Sequence, residues 1–574
     1  MDPKAEGRNG RHLPPRSLFR KAPSRRPGGS GQSGPEGGPG HDSGGKWKNI
    51  GGLPCDGGRH GILAAVIAPR RGPAVCPVHL RGNRKALAGV GLIQFQVSRY
   101  LTPSQPSPLE GEGEGGGEKE SNMGATQVLA EHVSETSFAA LPKEVVQKAK
   151  GIVLDTLGCA IAGYTLASHE FRWIYDPVKE MGGNPESTVW LTGMKTSCPQ
   201  AALVNGTLVH TIDFDDTHLG SIAHFGASVI PACLAVGEKV GADGPSVITA
   251  VVVAYEVAGR VGQALMPSHY KYWHPTGTFG TIAAAVAASK LLRLPADRVE
   301  QVISLAADGA SGMRYCIDFG DFSKSLHPGL AAWNGIMAAS LIARGAAGPK
   351  GLLEYKSGFC QAYSQEPDLK ALTENLGTSY EILTDSLKSF PTILCSHTPI
   401  QGTIQLMKAN NLRLEDVESI HLRVTPTAPG QGMNYAPDTP LAARLSIPYC
   451  VSRAAADGYI AMDQFQEGKI QDSRVQGFMK KVSLESDPQF LGRYPGTLAA
   501  QVEIRTKDGK RFQDESIYPK GHPENPLTDE EIKEKFRRLS MLTLDHAQSK
   551  QIIERVYSLE NILSAKDLVA TLIK

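Results

Sequence analysis

"LPKEVVQKAKGIVLDTLGCAIAG", residues 141–163, decides the fold class. Pro142 suits the first position of a helix, and Val145, Val146, Ala149, Ile152, Val153, Thr156 and Leu157 form one apolar stripe at helical spacing. Gly163 follows as a stop signal. Working outward, Ala- and Val-rich runs at 227–240, 246–265, 277–292, 299–312 and 331–344 predict further helices with broad apolar faces, packed on several sides. Gly/Pro clusters at 241–245 and 348–351 mark joints between them.

Near residue 388 the period changes. In "SIHLRVTP" (419–426) Ile420, Leu422 and Val424 alternate with polar residues, and "AAQVEIRTKDGKRFQDES" (499–516) repeats the alternation around Asp508-Gly509, a hairpin signature. "PLAARLSIPYCVSRAAADG" (440–458) reads as a helix between them. Helix then returns: Thr528 and Glu531 form a capping box, and a last helix covers about 546–560. The expected fold is mainly α, a large all-helical domain at 123–387 with a smaller α+β domain inserted at 388–522 and C-terminal helices (523–574) returning to the first.

The 574 residues exceed one compact core, and 41% hydrophobic with 21% charged residues is an ordinary globular balance. Residues 1–122 are different: Gly-, Pro-, Arg- and Ser-rich, with 18 Lys/Arg against 10 Asp/Glu. "LTPSQPSPLEGEGEGGGEKE" (101–120) looks like a translated bacterial intergenic repeat, so residues 1–122 are expected to be a disordered or spurious extension before a native start at Met123. The remainder carries 42 Lys/Arg against 48 Asp/Glu, no footprint for nucleic acid. Nine scattered cysteines without a CxxC pair fit a reducing compartment. No apolar run in the sequence reaches the ~18 residues of a membrane span. The expected location is cytoplasmic, with neither membrane nor nucleic acid as partner.

"HTIDFDDTHLGSIAHFG" (210–226) concentrates Asp213, Asp215 and Asp216 with His210, His218 and His224. A metal site would supply such ligands, but HExxH and EF-hand spacings are missing. A phosphotransfer aspartate would need an apolar strand before it and a βαβ scaffold after it. A helix end with capping aspartates accounts for the motif taken alone. Four further polar islands shift the balance: "YKYWHPTGTFG" (270–280), "FGDFSKSLHPG" (319–329), "KSFPTILCSHTP" (388–399) and "LSIPYC" (445–450). Each sets His, Lys or Tyr beside Pro or Gly at a helix end, where a rigid scaffold holds catalytic groups. Together they describe a proton-transfer pocket for an anion.

At these residues the chain resembles the MmgE/PrpD family, which includes 2-methylcitrate dehydratases, cis-aconitate decarboxylases and an iminodisuccinate epimerase. "NGTLVHTIDFDDTHLGSIAH", "HPTGTFGTIAAAVAASKLL", "KSLHPGLAAWNG", "SFPTILCSHTPIQGTI" and "RLSIPYCV" follow the family's order and spacing over about residues 123–570. The resemblance implies a homodimer needing no cofactor or metal, with its pocket between the helical domain and an α+β lid. It implies catalytic roles for Asp213, Thr217, His224, His274, Lys324, His397 and Tyr449, and substrate contacts from His327, Asp216 and His218. The implied activity is a lyase acting on a small di- or tricarboxylate by general acid/base proton transfer, dehydratase-like or decarboxylase-like. Epimerisation of an amino dicarboxylate, or a silent carboxylate-binding dimer, are the alternatives.

Three departures bear on the substrate. Family members usually read His-Pro-Ser at His224-Phe225-Gly226 and often Gly-Arg-Ala at Gly329-Leu330-Ala331, and the methylcitrate dehydratases carry asparagine at Asp215. A missing arginine beside the pocket would remove a carboxylate clamp.

Overall fold

Two helices open the part of the chain that the computed structural model describes, residues 124–426 and 432–574. The leader expected to be disordered or spurious lies outside the described residues. Helix α1 is Ala125–Glu135, and α2, Lys143–Leu166, carries the stripe of the opening stretch. Pro142 is its N-cap, one position earlier than expected. The helix also passes through Gly163 instead of stopping there. That glycine is a contact, not a terminator: a Cβ at 163 would lie 2.6 Å from Thr211 Oγ1 and 2.7 Å from the Leu208 carbonyl oxygen. Gly163→Ala should therefore cost ~1–3 kcal/mol, the range for overpacking, despite alanine's better helix propensity. Urea denaturation of the two proteins checks this; an unchanged or raised midpoint contradicts it.

The helical body continues with α3 (Ser168–Met181), a short antiparallel pair β1 (Ser187–Thr188) and β2 (Lys195–Thr196), and α4 (Cys198–His210). After β3 (Thr217–His218) come α5 (Gly226–Val240), α6 (Gly244–Leu265), α7 (Pro275–Leu291), α8 (Ala296–Asp308), α9 (Tyr315–Phe319) and α10 (Phe322–Ala343). Their apolar residues form one continuous core. By length and composition α6 could cross a membrane, but it is buried among the other helices here.

Most of these helices begin within three residues of the sequence expectation. α10 starts nine residues early. The cause is an Asp321 N-cap, whose carboxylate accepts from the Ser323 amide at 2.8 Å. Pro328, which precedes the helix expected at 331–344, lies inside α10. Proline lacks only its own N–H, so one carbonyl loses its partner while the helix goes on. As a result Lys324 and His327 share one helix, nearly a turn apart.

β4 (Asp385–Ser386) pairs antiparallel with β3. A four-stranded sheet follows in the order β6-β5-β7-β8, with β5 (Val417–Val424), β6 (Val482–Ser486), β7 (Ala500–Thr506) and β8 (Arg511–Ser516). The β5–β6 pair is parallel and the other two pairs are antiparallel. Ile420, Leu422 and Val424 bury one face with Val502 and Ile504, against Leu406 and Met407 of helix His397–Ala409. The hairpin turns at Gly509, whose φ of +84° suits glycine. The 440–458 stretch is two helices, Pro440–Arg444 and Ile447–Asp457, because Ser446 caps the second. Helices Asp529–Ser540, introduced by the Thr528–Glu531 capping box, and His546–Tyr557 bury Phe536, Leu539, Ile552 and Val556 in the same core as α2. The described chain is thus mainly α with small sheets.

Candidate active site

The acidic motif folds as a tight loop between α4 and α5, and its polar residues divide by direction. Asp216 turns inward beneath the loop. Its carboxylate accepts from the Gly226 amide at 3.1 Å and from the Tyr255 hydroxyl at 2.6 Å, so helix capping is correct for this one aspartate. A Cβ at Gly226 would collide with Asp216, which explains glycine at that position. Asp216 also faces Asp385 on β4. Burial and the Asp216 charge push the Asp385 carboxyl well above the usual range. His218 is held by Ser221 at 2.8 Å, Thr384 at 2.9 Å and Glu381 at 3.1 Å. Asp216 and His218 thus do not line the pocket, and their bonds fix the loop from behind its wall.

Asp213, Thr217 and His224 face the other way, onto a cavity of ≈ 40 Å³. Asp213 reaches it through a left-handed backbone, φ +51°. α7 contributes its N-cap, His274, whose amide donates to the Gly312 carbonyl at 2.9 Å. α10 contributes Lys324, and Lys388 comes from the second half of the chain. Tyr270, Ile222, Ile317, Ile393, Leu394 and Leu498 close the apolar side.

The polar wall is one connected network. Lys324 Nζ lies 3.1 Å and Lys388 Nζ 2.7 Å from the same Asp213 oxygen, Oδ1. The other oxygen, Oδ2, is buried without a partner. Lys324 also donates to His210 Nε2 at 2.9 Å, and His210 Nδ1 meets the Asp215 carboxylate at 2.8 Å. An ammonium can only donate, so His210 is neutral with its proton on Nδ1, directed at Asp215. His224 Nδ1 lies 2.6 Å from the Asp216 carbonyl oxygen, which only accepts, leaving the Nε2 lone pair for the cavity. His274 Nδ1 meets His327 Nδ1 at 2.8 Å.

Burial governs the protonation states. It pushes His224 well below the ordinary imidazole range, helped by Lys388, and His274 likewise, helped by His327 and Lys324. His327 is pushed down to about 4, chiefly by burial. Burial alone would raise Asp213, but Lys324 and Lys388 outweigh it and hold the carboxylate well below its usual value. The pocket therefore contains a carboxylate between two lysines, surrounded by imidazoles whose burial favours the neutral form.

Two residues expected in the pocket sit elsewhere. Tyr449 is buried beside Phe465, and its hydroxyl donates to the Gln464 carbonyl at 2.5 Å. It belongs to the apolar core under helix Ile447–Asp457, because the Ser446 cap sets the first turn and turns position 449 inward. Tyr449→Phe should keep turnover within about twofold and lose only the ~1 kcal/mol of one hydrogen bond; a hundredfold loss would return Tyr449 to the chemistry. His397 starts its helix off the cavity wall, edge-on to Phe390, with Nε2 buried and unpartnered. Burial, aided by Lys388, pushes it down to about 3. Four polar residues of the cavity or its network were not selected from the sequence: His210, Asp215, Tyr270 and Lys388. Each lies within or at the edge of a quoted motif, but nothing in the motif tells which face it presents. Leu330, where an arginine clamp seemed lost, is 37% exposed on α10 and does not line the cavity.

The chain belongs to the MmgE/PrpD family: residues 127–372 match the MmgE/PrpD N-terminal domain and residues 390–559 the MmgE/PrpD C-terminal domain. Among characterised relatives, human cis-aconitate decarboxylase is 29% identical over 466 residues, covering 78% of this chain and 94% of that protein. A cis-aconitate decarboxylase-like protein of Aspergillus oryzae is 26% identical over 473 residues, covering 78% and 96%. The cis-aconitate decarboxylase of Aspergillus terreus is 25% identical over 476 residues, with the same coverage.

Proposed function

We propose that the protein is a lyase that decarboxylates a small tricarboxylate of the cis-aconitate type. The observation that carries this reading is the Lys324–Asp213–Lys388 cluster facing neutral His224 and His274 in one cavity. The relatives' activity supports it.

The chemistry asks for three things. Carboxylates must be held, the electrons left by CO₂ must be stabilised, and one carbon must be protonated. Loss of CO₂ from the CH₂–COO⁻ arm of cis-aconitate breaks one C–C bond and leaves an electron pair that spreads through the adjacent double bond to the carbon bearing another carboxylate. Lys324 and Lys388 supply positive charge where that negative charge develops. His274 then delivers the proton. Its Nδ1 contact with half-buried His327 provides a path for resupply, since the pair can pass a proton along the 2.8 Å bond. Asp213 keeps both ammoniums in place, and the His210–Asp215 pair fixes Lys324 from behind.

A cavity of ≈ 40 Å³ holds only a few waters, each needing ~10–15 Å³ of such space, and a tricarboxylate needs more. We propose that residues 388–522 act as the lid of a helical domain, and that Ile393, Leu394 and Leu498 move outward to admit substrate.

Substrate charge should pull the depressed imidazoles back up, so binding takes up a proton. The sign follows: for a histidine lowered in the free protein and raised in the complex, affinity falls as pH rises between the two values. Calorimetry of a non-reacting tricarboxylate, in buffers of different ionisation enthalpy and at pH where the ligand is fully ionised, should show net proton uptake. Zero uptake contradicts the protonation scheme. The reaction itself is tested on the full chain with cis-aconitate, 2-methylcitrate, citrate, malate and an amino diacid. CO₂ release from cis-aconitate is expected; alkene formation from 2-methylcitrate without CO₂ would make the protein a dehydratase instead.

A further inference from the structure

Beside the cavity, three potential metal ligands converge. His274 and His327 place their Nδ1 atoms 2.8 Å apart, and Cys316 Sγ, from α9, lies 3.8 Å from His327 Nδ1. One ligand atom from each residue lies within 4.8 Å of the other two. The decarboxylation scheme uses the two histidines and leaves the thiol without a task.

We propose that His274, Cys316 and His327 form a binding site for zinc or a similar borderline-soft divalent cation, and that the bound cation switches the enzyme off. The inhibitory half rests on the reading of His274 and His327 as a proton path; the site itself does not.

The geometry is close to what zinc needs. Zn–N of ~2.0–2.1 Å and Zn–S of ~2.3 Å in a tetrahedron place nitrogens ~3.3 Å apart and nitrogen and sulfur ~3.6 Å apart. The two imidazoles would open by about half an ångström and the thiol would close on His327 by ~0.2 Å, with solvent in the fourth position. Both rings are neutral, as ligands must be, and burial together with the neighbouring cations keeps them so. A thiol and two imidazoles suit zinc better than magnesium or calcium, which prefer oxygen. Lys324 opposes a cation here, since its charge depresses both histidines. The thiolate formed on binding offsets one positive charge, and Asp321 acts favourably on the His327 side.

A second group, His210, Asp215 and His224, has comparable spacing. It is already committed. Both nitrogens of His210 are engaged, by Asp215 and by the Lys324 ammonium at 2.9 Å, which would repel a cation directly. Among the described residues no cation bonds a ligand atom of the Cys316 group, and half-buried His327 gives it an exposed edge. A metal on His274 Nδ1 would occupy the atom through which His327 resupplies the proton and would leave Nε2 protonated and unable to exchange it. Turnover would stop without substrate being displaced.

Cobalt tests the site without reference to any substrate. The full chain titrated with Co²⁺ alone should show a near-ultraviolet thiolate-to-cobalt charge-transfer band saturating at one equivalent, and Zn²⁺ should abolish it. Cys316→Ser should lose the band, and zinc affinity should fall by at least the ~10–100-fold that even an indirect partner's loss typically costs. Metal-free turnover of that variant should persist. Should it fold poorly, His327→Gln carries the same test and must also lose the band. No band in the native chain, or a band unchanged in either variant, overturns the site. Zinc that binds through Cys316 yet leaves turnover intact overturns the switch alone.

Discussion

Lys324→Ala should reduce kcat on cis-aconitate by about 10³-fold or more, with a smaller change in KM. A group that stabilises charge developing in the transition state is typically worth ~10²–10³ in rate. Lys324 has a second task as well. Its ammonium bonds both Asp213 Oδ1 and His210 Nε2, so its loss unlinks the two halves of the polar wall. Stability should suffer less than activity. Breaking a buried pair costs ~3–5 kcal/mol when a charge is left alone, but Lys388 remains 2.7 Å from Asp213. A folded variant with nearly normal kcat and a large rise in KM would show that Lys324 only binds carboxylate.

His274→Ala is the second large effect, a loss of ~10²–10⁴ in kcat, the range for a general acid or base. The ring is buried at the N-cap of α7, where its backbone geometry does not depend on the side chain: no side-chain cap bond is made, and Pro275 at the first helical position fixes the entry. The fold should therefore survive. His274→Gln, which keeps a polar group of similar reach but cannot hold a proton, should be as inactive as alanine. Substantial activity in the glutamine variant would leave His274 as a hydrogen-bonding partner and move the proton to another residue, with Tyr270 and Thr217 the hydroxyl donors on the cavity wall.

Much of this architecture was legible in the sequence where one simple physical rule acts alone. The Ala- and Val-rich helices announce themselves by spacing because an apolar stripe must face a core, and the β7–β8 hairpin by alternation around Asp508-Gly509. Misreadings came where two rules compete. Gly163 looked like a terminator but permits α2 to touch the end of α4. Pro328 lies before the expected run at 331–344 but sits inside α10, which starts early because Asp321 caps it. The acidic loop shows the same limit at the level of the site. Composition marks all three aspartates as candidates, yet only backbone geometry separates Asp213, turned into the cavity at φ +51°, from Asp216, turned under it to hold Gly226 and Tyr255. Lys388 is a lysine before a serine until the loop of 385–394 is folded against Asp213. Tyr449 reads as a catalytic phenol until its helix shows which side faces the core.

Decarboxylation with protonation by a cavity residue leaves a label that one experiment reads. The full chain is incubated with cis-aconitate in D₂O, and the product is followed by proton NMR together with released CO₂. Stoichiometric CO₂ and a methylenesuccinate carrying one deuterium in its CH₂–COO⁻ arm are expected, because the electron pair moves through the double bond before the proton is added. Deuterium on the alkene carbon would contradict the charge-delocalised path, and unchanged cis-aconitate beside rapid turnover of another acid would contradict the proposed function itself.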